Sequence, residues 1–427
     1  APSKVLLRPE NKSMGKLTAH KLKRELRRVG RQIRGFPGEV WHFITATPFY
    51  DAFEAVKVRR WTGSVPTKDK VLVYVLYPND GLLRSHLAAI RYFSTRGFSV
   101  VAVSNLALNE TDRKALLNEV TEYIERPNVG YDFGGYREAM RHMRDRLPAL
   151  RQLVLMNDST WFPLPSGRDW LTDVEAEGAD YVSASAHYSC RRFEAQDFMQ
   201  QTWNFTTEHR NFHYASYALS LSGNILSDPR FPAFWDGYRL TDDKNRTVRR
   251  GEIGLTRWVL KNGYTTGSTL KVADLDQQLE HLSDERLARL ARNVILITDP
   301  DLLTVKREIF RDEVMPDRKT AIQLLLAGAA RQGAGYALAD YTLRECGFPF
   351  LKKSPVWLDE EMSDITLHLL NRTEGRDAAI FLDEALAWRK ARGRGFAKPR
   401  ITARSSNEAE HETPPAPDIN SGTASAE

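Results

Sequence analysis

The segment Asn128-Val-Gly-Tyr-Asp-Phe-Gly-Gly-Tyr-Arg137 gathers glycines, a carboxylate and a guanidinium at one place. Gly130, Gly134 and Gly135 admit positive φ or close backbone approach. A turn of this kind opening a helix offers free N–H groups to an anion. Arg137 has the geometry to pair with phosphate oxygens, and Asp132 can accept hydrogen bonds from a ribose or a sugar. The plainer reading is a tight strand-to-helix turn in which Asp132 caps the helix. The spacing departs from GxGxxG, so a Rossmann dinucleotide site is not indicated. About twenty residues on, Leu153-Val-Leu-Met-Asn-Asp-Ser-Thr160 is an apolar run that stops at Asn157 and Asp158. A carboxylate at the carboxyl end of a strand sits where open α/β folds bind ligands. It can hold a divalent ion that bridges a diphosphate, and the ion offsets charge on a departing nucleotide. Taken alone, the pair reads as an Asx turn with Asp158 bonded to Thr160 or its neighbours. With the glycine turn just upstream, the functional reading prevails.

Two more clusters carry candidate chemistry. Glu252 begins the run Gly251-Glu-Ile-Gly-Leu-Thr-Arg257. A first-turn glutamate is favoured by the helix dipole in any case, but it is also placed to deprotonate an acceptor hydroxyl. Asp242 and Asp243 are rivals, and Glu252 ranks first. Asn211 and His213-Tyr-Ala-Ser-Tyr217 form a polar, aromatic group. Aromatics at such sites stack on sugar or base faces, which makes His213, Tyr214 and Ser216 candidate sugar or acceptor contacts. For most of that group a half-buried strand is the simpler account. His187 and His209 have no metal-ligand spacing. There is no GxSxG elbow, HExxH or P-loop, which removes the commonest hydrolase, metalloprotease and NTPase readings.

Positioning these residues requires strands that alternate with helices. Val71–Tyr77 is a buried strand closed by the turn Pro78-Asn-Asp-Gly81, and a helix is predicted over 82–95. A second strand covers 98–104. A helix capped by Asn109 runs to about 120, and Tyr123-Ile124 leads into the glycine turn. A helix from Gly134 to about Arg146 precedes the Leu153 strand, and 180–186 is one more strand. This rhythm argues for a doubly wound, mostly parallel sheet. The strand ends at Tyr77 to Asp80 and at Ser104-Asn105 would then face a nucleoside. Beyond Cys190 the pattern turns antiparallel, with strands over 201–205 and 213–221, a helix over 247–261 and a strand from Tyr264. Residues 283–394 read as mainly helical.

The 427 residues allow two or three domains, and the net charge of +6 is unevenly spread. The first forty residues are rich in Lys and Arg. Lys16 to Ile33 reads as a basic helix that either packs its apolar stripe on the main domain or lies on an anionic membrane surface. Nucleic acid is not an expected partner, because no reading motif accompanies the basic stretch. Two cysteines, Cys190 and Cys346, lie far apart in no metal-binding pattern, which suits a reducing compartment. No apolar run approaches the ~20 residues needed to span a bilayer, and no secretory signal is recognised. The expected location is the cytoplasm, peripheral to the inner face of the cell membrane. From Lys398 the chain loses its apolar residues and reads as a disordered acidic tail. The expected division is 1–66 basic and mainly helical, 67–282 the α/β domain, 283–397 helical and 398–427 tail.

The glycine turn, Leu155-Met-Asn-Asp-Ser-Thr160 and His213–Tyr217 together resemble the rhamnan synthesis protein F family of polysaccharide-building glycosyltransferases. So do Phe231-Pro-Ala-Phe-Trp235, Gly251–Thr256 and Gly347-Phe-Pro-Phe-Leu-Lys352. The resemblance runs in order over roughly residues 70 to 356. It implies a GT-A-like nucleotide-diphospho-sugar transferase fold, a mixed, mostly parallel sheet flanked by helices, with a helical C-terminal region. It implies transfer of a sugar, rhamnose from a dTDP-activated donor or a related deoxyhexose, to a growing cell-surface polysaccharide on a lipid-linked or polysaccharide acceptor, and a single base makes inversion the simplest chemistry. It places the donor against Tyr77, Asp80, Asn105, Asn128, Gly130, Tyr131, Asp132, Gly134, Gly135, Arg137 and Asn157. It gives Asp158 a Mg2+ or Mn2+ ion and makes Glu252 the base. The usual DxD-type element is here Asn157-Asp158-Ser159, with one carboxylate where two are usual. The competing reading is a noncatalytic glycan-assembly or carbohydrate-binding protein on the same fold. An epimerase-like enzyme would need a dinucleotide fingerprint.

Overall fold

A computed structural model describes residues 47–396 apart from 166, 188–193, 313 and 376. The basic helix expected over 16–33, the tail from 398 and Cys190 therefore lie outside the described residues. The strands, in chain order, are β1 Arg59–Thr62, β2 Lys70–Leu76, β3 Ser99–Ser104, β4 Glu122–Glu125, β5 Gln152–Asn157 and β6 Thr160–Trp161. They continue as β7 Tyr181–Ser183, β8 Ala186–His187, β9 His213–Tyr214, β10 Ala218–Ser222, β11 Thr266–Ser268 and β12 Leu351–Lys352.

Eight of these form one sheet in the order β1-β4-β3-β2-β5-β10-β7-β11. Strands β4, β3, β2 and β5 run parallel to one another, the edge strand β1 is antiparallel to β4, β10 is antiparallel to both β5 and β7, and β11 is parallel to β7. A mostly parallel sheet with one antiparallel strand inside it, here β10, flanked by helices, is the GT-A-like architecture. Strands β2 and β3 are buried along almost their whole length. Continuous Val, Leu and Ala there suit strands covered on both faces.

The order also fixes the crevice. The chain leaves β2 for β3 and β4 on one side, then returns to pair β5 on the other side of β2. Ligands bind in open α/β sheets at the carboxyl ends of strands where the order reverses in this way. Here the two ends are tied directly, since Tyr77 N–H donates to Asp158 Oδ2 at 2.8 Å.

Several boundaries differ from expectation for local reasons. The helix after the glycine turn spans Tyr131–His142, not Gly134 onward, because Gly130 is its cap at φ +81° and donates its N–H to Asp242 Oδ1 at 2.9 Å. Residues 201–205 are not a strand; Trp203 is anchored instead through Nε1 to the Val272 carbonyl at 2.8 Å. The expected strand over 213–221 is two, β9 and β10, parted at Ala215, whose N–H donates to the Ser185 carbonyl. The break carries Ser216 to the tip of β5. The helix expected over 247–261 is also two, Lys244–Arg250 and Glu252–Lys261, with Gly251 between them. β1 lies ahead of residue 67 yet pairs with β4 at the sheet edge. The helical C-terminal region contributes β12, which pairs with β6 so that Lys352 faces Thr160.

Candidate active site

The residues at the strand tips form one hydrogen-bonded assembly. Asn157 Nδ2 donates to Asp132 Oδ2 at 2.8 Å, while Asn157 Oδ1 accepts from Ser159 N–H at 3.1 Å and Ser159 Oγ at 2.6 Å. The Asx turn thus belongs to Asn157, leaving the Asp158 side chain for Tyr77. Ser216 Oγ lies 3.1 Å from Asp132 Oδ2 and 2.5 Å from Glu252 Oε1, and Ser216 N–H also donates to Glu252 Oε1.

One hydroxyl carries one hydrogen. It cannot serve two ionised carboxylates, so one of the contacts needs a carboxyl proton. Asp132 is the group able to keep it, because burial, and then the charge of Glu252, push its carboxyl up to about 6. In the protonated state Asp132 donates to Ser216 Oγ, which donates to Glu252. Glu252 stands at the first position of its helix, where the dipole favours its charge. Its Oε2 faces His213 Nε2 at 3.5 Å. His213 Nδ1 lies 2.8 Å from the Asn211 carbonyl. That contact puts a proton on Nδ1 and sets the ring's orientation, with Nε2 on the Glu252 side.

Asp158 has a different environment. Burial would raise its carboxyl, but the His86 ring, Lys353 and the Tyr77 N–H outweigh burial and hold it below the ordinary range. His86 is fully buried, and its Nδ1 accepts from Leu83 N–H at 3.2 Å. The ring proton therefore sits on Nε2, which points at Asp158 Oδ2 from 3.4 Å.

Neither Lys352, which closes the motif Gly347–Lys352, nor its neighbour Lys353 is among the expected site residues. Lys352 Nζ donates to Ser159 Oγ at 3.1 Å and stands 4.1 Å above the Tyr217 ring. Burial pulls its ammonium down to about 8 against the charges of Glu252 and Asp132. Lys353 lies on the other side of the tip, 4 % exposed, with Nζ 3.4 Å from Ser85 Oγ and 5.3 Å above the Trp388 ring. Beside it a cleft of about 360 Å³ is lined by Tyr77, Asn79, Asp80, Asp158, Trp357 and Trp388, among others.

Other expected residues have different company. Arg137 is buried and makes two 2.8 Å bonds to Asp51, so it holds the N-terminal segment. Gly134 and Gly135 lie inside the helix, where an added Cβ would come 2.2 Å from the Val129 carbonyl and 2.8 Å from Val75 respectively. They serve close packing of the turn on the sheet. Asn105 is enclosed, accepting from Arg126 and donating to the Tyr131 carbonyl. Asn128, Tyr131 and Tyr77 are exposed. Asp80 Oδ2 accepts from Trp388 Nε1 at 2.9 Å. Tyr214 is buried against Tyr181 and Phe212. Asp242 is bound to the turn, and Asp243 caps the Lys244 helix.

Among the described residues no group of three or more His, Cys, Asp and Glu is arranged to hold a metal ion. At the tip the potential donors are one carboxylate already bonded by Tyr77 and an amide oxygen filled by Ser159. No helix among the described residues is long and apolar enough to cross a membrane.

Residues 100–332, just over half of the chain, match a family model described as rhamnan synthesis protein F. The chain is 29% identical over 255 residues to an uncharacterized protein, y4gN, of Sinorhizobium fredii. That match covers 60% of this chain and spans 62% of the relative's length. Among solved structures it is similar to the mannosyltransferase PcManGT of Pyrobaculum calidifontis in complex with GDP-Man and Mn2+. Identity is 13%, with 84% of this chain and 90% of that one covered at a TM-score of 0.29. It is also similar to the glycosyltransferase GlyE of Streptococcus pneumoniae. There identity is 11%, covering 76% and 64%, with a TM-score of 0.32. Superpositions this loose leave the fold assignment to the strand order itself.

Proposed function

Because the chain belongs to the rhamnan synthesis protein F family, we propose that it is a glycosyltransferase. It moves a sugar from a nucleotide-diphosphate donor to a growing cell-surface polysaccharide or its lipid-linked precursor. Rhamnose or a related deoxyhexose from a dTDP-activated donor is the sugar the family reading favours. The observation that carries the proposal is the Asp132–Ser216–Glu252 cluster standing beside the switch-point crevice.

In the transfer step Glu252 takes the proton from the acceptor hydroxyl. The acceptor oxygen forms its bond to the anomeric carbon as the carbon–oxygen bond to the diphosphate breaks, its electron pair leaving with the diphosphate. One base acting opposite the leaving group inverts the anomeric centre. Ser216 holds Glu252 Oε1 through both its N–H and its hydroxyl, so the base is oriented before the acceptor arrives. Asp132 supplies a hydrogen-bonding group for a sugar hydroxyl next to it. An ion such as Mg2+ or Mn2+ would be held through the Asp158 carboxylate and would offset charge on the departing diphosphate.

A thermal-shift screen of nucleotide sugars tests the reading. A ligand that binds the native state raises the melting temperature by mass action. At least one dTDP, GDP or UDP sugar is expected to do so. Binding of glycans with no shift from any nucleotide sugar would favour the noncatalytic alternative.

A further inference from the structure

Lys352 and Lys353 take no part in the proton transfer, yet Lys353 is buried and Lys352 half-buried at the strand tip. Consecutive strand residues point to opposite faces, so one ammonium lies on each side of Asn157–Ser159. Lys352 reaches Ser159 Oγ and stands over Tyr217. Lys353 makes a single 3.4 Å hydrogen bond, to Ser85 Oγ. An ammonium has three donors, and a buried charge without full pairing is costly. Each lysine therefore keeps N–H groups to give. His86 Nε2, fully buried, is a further donor without a hydrogen bond, and it points at the same tip. Among the described residues the carboxylates facing Lys353 are Asp158, which already accepts from Tyr77, and Glu384, which accepts from Ser85 N–H and Trp161 Nε1, and the Lys353 side opens into the 360 Å³ cleft.

We propose that Lys352 and Lys353 grip the diphosphate of the donor from the two sides of the strand tip, so that the chain binds a nucleoside diphosphate without a protein-held divalent ion. The inference rests on the transferase reading and adds to it the groups that meet the leaving group's charge. Phosphate oxygens fill the vacant ammonium donors, and such charge-assisted bonds are the strong kind. Asp158 then acts as a positioning residue, tying β5 to β2 through Tyr77 and balancing Lys353.

Titration calorimetry of the full chain with dTDP and with GDP, in EDTA and in excess MnCl2, tests this. The expected result is binding in EDTA within about threefold of that in Mn2+. Lys352→Gln is expected to weaken it by at least about tenfold, as loss of a charged hydrogen bond does, while Lys352→Arg keeps most of the affinity. Lys353→Met is expected to act alike. If burial makes that variant unfold, the partly exposed Lys352 pair decides. Binding seen only with Mn2+, or unchanged in Lys352→Gln, overturns the lysine proposal and leaves the transferase reading standing. No binding in either buffer overturns both.

Discussion

Asp132 shows how much a single residue's role depends on neighbours that are distant in sequence. As a member of the glycine turn it reads as a phosphate-side or capping group. In the folded chain its Oδ1 does accept the Phe133 N–H, but Oδ2 faces Asn157 and Ser216, with Glu252 one hydroxyl away. Burial and Glu252 raise its carboxyl from an ordinary 3.8 to about 6. A raised carboxyl means the folded state binds the proton more tightly than the unfolded one. Its contribution to stability is fully present below about 4 and is lost as pH rises through about 6. The loss is on the order of 3 kcal/mol. Asp158 has the opposite sign, its stabilisation being lost on acidification, so the two must be separated by difference. Urea unfolding of the wild type and Asp132→Asn at several pH values should show the variant gaining relative stability from pH 4 to 7. Parallel curves would contradict the shared-proton account of the cluster.

At the scale of elements, the sheet was legible because its central strands are unbroken apolar runs and its helices carry clear punctuation, as at Asn109, which accepts the Asp112 N–H. Breaks were less legible. Gly251 gives no turn signal in sequence; it is required because a Cβ there would lie 2.5 Å from the Phe133 ring. That ring is buried and stacked on Trp235 and Tyr238, contacts between segments a hundred residues apart. Gly251→Ala is therefore expected to cost roughly 1–3 kcal/mol by overpacking and to displace the Glu252 helix. Gly254→Ala, in the same helix with its nearest contact at 3.6 Å, is expected to be neutral or to stabilise by up to about 1 kcal/mol. Chemical denaturation of both variants checks this. Equal effects would show that the Phe133 contact does not set the break.

Across the whole molecule, the site is assembled from both the α/β domain and the helical C-terminal region. β12 brings Lys352 and Lys353 to β6, and the Phe350 ring stacks on Phe162 at 4.4 Å, closing the seam. The order of short motifs identified the family and singled out Glu252, Asp132 and Asp158. It could not reveal that a pair of lysines some two hundred residues beyond Asp158 completes the tip, since that pairing exists only in three dimensions. Nor could it show Arg137 turned inward to Asp51. The central claim is that this tip transfers a sugar using Glu252 as base. Release of nucleoside diphosphate from the donor found by thermal shift, measured with a saccharide acceptor, tests it most directly. Wild type is expected to turn over, and Glu252→Gln to bind the donor normally while losing about 10²–10⁴-fold in rate, the usual worth of a general base. Undiminished turnover in Glu252→Gln would contradict the account.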